Sequence, residues 1–137
     1  MDVIVTEIDA MAAEIAKSAG WQRFQSCDDF VNAWISFVDQ CASGYDMSIY
    51  EYENDLAVRT AIQILLVDGR MRRLEGFEEF ELRVQRTDEY FKGLLQDGIE
   101  TRDQKDFWWQ RGVPKFAGAE LADDFMNLFG VSVRAVD

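Results

Sequence analysis

The stretch Ala61-Ile62-Gln63-Ile64-Leu65-Leu66-Val67 constrains this chain more than any other segment. It ends a run that begins with a strong helix start. Ser48 is followed three residues on by Glu51, a spacing in which hydroxyl and carboxylate each satisfy a free amide at the helix N-terminus. A helix that is apolar nearly all round must be covered on most sides by other elements. The pattern predicts a central helix from Ser48 to about Val67, stopped at Gly69.

Covering elements are legible on both sides. Ile4, Ile8, Met11, Ala12, Ile15 and Ala19 recur on one helical face, and Gly20 ends that helix. Ser26 and Asp29 open a second helix with the stripe Phe30, Val31, Trp34, Phe37, Val38 and Cys41, stopped at Gly44. From Leu74 to Gln96 two patterns compete. Phe77, Phe80, Val84, Phe91 and Leu95 share a helical face, while Phe80, Leu82 and Val84 alternate as in a strand. The favourable Glu79–Arg83 spacing selects one long helix, with a break near Thr87 as the alternative.

A short helix is expected from Arg102 to Gln110, ended by Gly112-Val113-Pro114. A last helix runs from Ala119 to Phe129, with Leu121, Ala122, Phe125, Leu128 and Phe129 inward and Gly130 as its stop. Alternation over 131–136 predicts an extended tail. The expected fold is all-α: one domain over 1–137, a compact bundle of five or six helices with a short extended C-terminal tail. A chain of 137 residues can bury such a core without disulfides or metals.

Charge narrows the partners. The net charge is -12, from 26 acidic and 14 basic residues. Such a surface repels phosphate backbones and anionic membranes, so neither is expected to bind directly. It attracts proteins with basic surfaces. Residues 1–60 carry 11 acidic and 3 basic side chains, whereas 61–137 carry 15 and 11.

Asp28, Asp29 and Glu51 sit at helix starts, where they complement the dipole. Glu53 and Asp55 lie deeper in the third helix, interleaved with Tyr50 and Tyr52 and close to Asp46. Tyrosines among carboxylates suit a protein interface. The other reading is a solvated helix face with two half-buried tyrosines. Adjacent Trp108 and Trp109 project about 100° apart on a helix, so one can anchor a partner while the other enters the core. Alternatively both rings lock the short helix to the bundle. Arg70, Arg72 and Arg73 are expected to cap the third helix or to pair with Glu75, Glu78 and Glu79.

Several chemistries are excluded by composition. There is no histidine, which removes Ser-His-Asp and Cys-His catalysis and the His-containing zinc sites. Two cysteines cannot form a four-thiolate site. No phosphate-cradling glycine loop occurs. No cofactor is expected. The N-terminus lacks leader features and no apolar run is long enough for a bilayer, so a cytoplasmic protein with reduced thiols is expected. Cys41 falls on the core stripe. Cys27 falls at a helix start, where a thiol pKa tends to drop.

Glu78-x-x-Glu81, followed by Glu100-x-x-Asp103, resembles the metal-binding pattern of the all-helical MazG-type nucleotide pyrophosphohydrolases. The resemblance implies carboxylate pairs one turn apart holding magnesium over a pyrophosphate, with Arg83, Arg86 and Arg102 near the phosphates. The family sets its second pair on a helix, whereas here Asp97-Gly98, a helix-ending signal, precedes Glu100.

The leading expectation is an acidic protein-binding module that inhibits or regulates a basic partner. Its nearest class is the bacterial immunity protein or antitoxin-type inhibitor of a basic toxin or nucleic-acid-binding protein. The expected partner-facing residues are Asp46, Tyr50, Glu51, Tyr52, Glu53, Asp55 and Trp109. Two alternatives stand beside it. One is the magnesium-dependent hydrolase, which requires Glu78, Glu81, Glu100 and Asp103 to converge. The other is a phage-encoded anti-defence inhibitor that presents carboxylates in place of phosphates.

Overall fold

The computed structural model describes residues 5–102 and 105–136. Among these residues seven helices run in the order α1 (Glu7–Ser18), α2 (Cys27–Ser43), α3 (Ile49–Val67), α4 (Gly69–Arg72), α5 (Phe77–Lys92), α6 (Trp108–Arg111) and α7 (Ala119–Phe129). Four short strands are set among the later helices: β1 (Leu95–Glu100), β2 (Gly112–Pro114), β3 (Phe116–Gly118) and β4 (Arg134–Val136). The architecture is all-α with two small two-stranded sheets. No helix among the described residues is long and apolar enough to cross a membrane.

The first three helices follow their sequence signals. Thr6 caps α1 by accepting from the Asp9 amide, and Ile8, Ala12, Ile15 and Ala16 face inward. Ile4 lies outside the described residues, and Ala19 is exposed. Gly20 takes φ +88 just beyond α1. That lets the Trp21 amide donate to the Ala16 carbonyl at 2.7 Å, which closes the helix end. Ser26 caps α2, and its whole predicted stripe is buried. The Asp29 carboxylate satisfies the Gln25 amide, one residue before the cap itself. Ser48 and Glu51 form the predicted reciprocal cap on α3.

Helix α3 is central, in contact with α1, α2, α4, α6 and α7. Ala61, Ile62 and Leu65 are fully covered, yet Ile64 is 42% and Val67 64% exposed. The apolar end of α3 therefore keeps one open side. Around its middle, Phe37 of α2 packs against Trp34, Tyr45, Tyr52 and Phe91 with ring centroids 5.4–5.9 Å apart. Each such buried ring contributes about 1.5–3 kcal/mol over its exposed state.

Later elements depart from the sequence reading. Helix α5 is unbroken at Thr87, whose hydroxyl donates to the Arg83 carbonyl one turn back. This internal bond keeps Thr87 inside the helix, and exposed Leu82 shows that the strand-like alternation was fortuitous. The helix stops at Lys92, so Leu95 and Gln96 lie on β1. The helix expected over 102–110 is only one turn, Trp108–Arg111. β1 pairs antiparallel with β2, and the C-terminal tail is extended as β4, parallel to β3. Gly118 makes the second sheet possible. A Cβ there would lie 2.8 Å from the Asp46 Cα, so the β3–α7 junction packs directly on the α2–α3 loop. On α7, Leu121, Ala122 and Phe125 are buried as expected, but Leu128 is exposed. Arg72 caps α3 through the Leu66 carbonyl and approaches Glu81 at 4.0 Å.

Candidate functional site

The start of α3 sets the site. The Ile49 amide, free at the helix end, donates to an Asp124 carboxylate oxygen on α7 at 2.9 Å. That bond fastens α7 beside the first turn of α3. Tyr50 projects outward there and is 75% exposed. Asp46, Glu51 and Glu53 are exposed on the same end of α3 and the loop before it. Helix α7 contributes exposed Glu120 and Asp123 and half-buried Asp124. No Lys or Arg occurs between Arg23 and Arg59, and none occurs in α7. Carboxylates therefore outnumber cations at this end of α3, where Arg102, paired with Glu53, supplies a positive charge. The Ser48 amide and hydroxyl bind the Glu51 carboxylate and hold its pKa below the usual range, so it stays ionised.

Other residues expected on the interface have core roles. Tyr52 is 3% exposed, packed among Phe37, Tyr45 and Phe125. It belongs to the inward row Ile49, Tyr52, Leu56 and Arg59, and its position on that row explains its burial. Its hydroxyl is sealed from solvent with no hydrogen-bond partner among the described residues, and burial pushes its pKa well up. Asp55 accepts a 2.6 Å hydrogen bond from the Tyr45 hydroxyl and so ties α3 to the end of α2. Burial, then this bond, pushes the Tyr45 phenol up.

Trp109 is 2% exposed, and its indole N–H donates to the Thr60 hydroxyl at 2.9 Å. Trp108 is half-buried against Phe91. Both rings thus lock α6 in place, and the ring left partly open is Phe107, stacked on Trp109 at 4.4 Å. Cys27 also differs from expectation. Burial, then the Asp9 carboxylate, pushes its thiol up to about 12, outweighing the helix start.

The three described residues of the remaining acidic pattern, Glu78, Glu81 and Glu100, form no metal-holding group. Glu78 is exposed on α5, Glu81 lies near Arg72, and Glu100 on β1 pairs with Arg111 at 3.2 Å. Asp103 lies outside the described residues. Arg83 pairs with Asp28 and Arg102 with Glu53. Among the described residues, no group of three or more Asp, Glu or Cys side chains could hold a metal ion. No protein-family model, curated protein or solved structure matches this chain.

A cleft adjoins the acidic surface. It holds about 190 Å³ between α3, α7 and the residues Thr101, Arg102, Asp106 and Gln110. Ile49, Leu56, Phe125 and Phe129 form apolar walls, while Glu53, Arg102 and Asp106 supply its charged groups. Arg102 donates to the Glu53 carboxylate. Helix α6, which follows Asp106 in the chain, packs on a buried network through Trp109. The Asp88 carboxylate accepts from Arg59 Nε at 2.8 Å, Arg59 Nη2 at 2.9 Å and Trp34 Nε1 at 3.0 Å. The Arg59 guanidinium in turn lies 4.3 Å from the centre of the Trp109 ring. Sequence reasoning passed over Arg59 and Asp88. The available signal was an arginine on the inward row of α3.

Proposed function

We propose that this protein is an acidic binding module that regulates a partner with a basic surface, in the manner of an immunity protein or antitoxin-type inhibitor. The observation that carries the reading is Tyr50, a largely exposed aromatic ring on the end of α3 that also exposes Asp46, Glu51 and the Arg102-paired Glu53, beside the cation-free α7. Long-range attraction steers a basic surface to this end, and contact with the ring then slows its departure. Tyrosine suits the second role because it buries much area for two rotatable bonds. Tyr52, Asp55 and Trp109 support the surface from within instead of touching the partner.

The test is capture of binding proteins by tagged protein from lysate of its own source, washed at low and high salt. Wild-type protein should retain a stoichiometric basic partner at low salt and lose most of it at high salt. The Asp46→Lys/Tyr50→Ala double variant, at exposed positions, should fold normally and lose that partner. Capture that ignores salt, or that survives the double variant intact, would overturn the proposal.

A further inference from the structure

The cleft beside Tyr50 has a size and a charge pattern that specify an occupant. A cavity of about 150 Å³ accepts a benzene-sized guest, so about 190 Å³ is room enough for one side chain. Ile49, Leu56, Phe125 and Phe129 give it an apolar side, Thr60, Thr101 and Gln110 a polar one, and among the described residues its charged groups are two carboxylates, Glu53 and Asp106, against one cation, Arg102. The chain itself shows what the Glu53 carboxylate accepts, because a guanidinium, that of Arg102, already sits on it. Both partners of that pair are substantially exposed, at 37% and 42%. Exchanging one exposed guanidinium for another costs little, since such pairs are worth about 0–1 kcal/mol.

We infer that the cleft is the receptor for a single arginine or lysine side chain of the basic partner. The aliphatic stem packs between Leu56 and the Phe125 and Phe129 rings, and the cationic head replaces Arg102 at Glu53 within reach of Asp106. The inference rests on the acidic-module reading and deepens it. Glu53 follows Tyr50 by three residues on α3, so a protein seated on the ring has the cleft beside it. Arg102 acts as an internal stand-in that keeps the seat formed while the partner is absent.

The test needs no partner. Amide NMR spectra of the full chain are followed during titration with n-butylguanidinium, with neutral n-butylurea and with n-butyrate. Butylguanidinium should shift the amides of Glu53, Leu56, Thr60, Gln110 and Phe129 selectively. Glu53→Gln should weaken it by about two- to fivefold, the loss of one exposed charge pair. Arg102→Ala should tighten it by a similar factor, because the internal competitor is gone. Preference for butyrate, equal response to butylurea, or shifts scattered over the acidic surface with none at the cleft would each overturn the inference. The two proposals fail separately. Butylguanidinium binding without any salt-sensitive partner would defeat the module reading alone, and a captured partner with no probe binding would defeat the cleft assignment alone.

Discussion

Replacing Asp88 with alanine should be the most damaging single polar substitution in this chain. Asp88 and Arg59 are 7% and 4% exposed, and the carboxylate takes three hydrogen bonds from two other helices. Asp88→Ala leaves the guanidinium buried with, among the described residues, the Gln63 side-chain carbonyl and the Trp109 ring as partners. It also strands the Trp34 indole N–H. Removing one member of a buried pair costs about 3–5 kcal/mol. With an unfolding entropy of about 2.1 cal/mol/K per residue, a chain of 137 residues loses about 3.5 °C of Tm per kcal/mol, hence about 10–17 °C in total. Thermal unfolding followed by circular dichroism measures the Tm shift, and urea unfolding followed by tryptophan fluorescence measures the loss in free energy. The Arg59→Met/Asp88→Leu double variant removes both charges and should cost well under the sum of the two single substitutions. If Asp88→Ala costs less than about 1 kcal/mol, or the double variant simply adds the singles, the pair is not the anchor described here.

Two smaller effects follow from the same structure. Ser48→Ala removes the reciprocal cap at the base of the acidic surface and should cost about 1 kcal/mol, read as a shift in urea midpoint at constant slope. The Cys27 and Cys41 thiols are raised from 9.0 to about 12, mainly by burial. Because the folded state holds them protonated, their contribution is fully present below pH 9 and is lost as pH rises from about 9 to about 12. Iodoacetamide should label neither thiol in the folded protein at pH 8 and both after unfolding, as mass spectrometry would show.

The parts of this fold that were legible in the sequence are those fixed by local chemistry. Ser26 and Ser48 caps, Gly20 and Gly130 stops and the α2 stripe are set within a few residues, and the structure has each of them. The stretch Leu95–Glu100 was misread because its conformation is set by distant partners. β1 exists through pairing with β2 across a gap of more than ten residues, and such pairing leaves no local period. At the site, Tyr50 and Tyr52 look alike in sequence, and only the row Ile49, Tyr52, Leu56 and Arg59 separates the inward ring from the outward one. The Glu53–Arg102 contact joins residues 49 positions apart. No spacing rule links them.

The central claim is that the Tyr50 end of α3 meets a basic protein. A photo-crosslinking residue placed at Tyr50, with a control at Gln85 on the exposed side of α5, tests it most directly. Irradiation in native lysate should join a protein of basic composition to position 50 in low salt, with little product in high salt and none at position 85. Equal products from both positions, or product at 85 alone, would contradict the account.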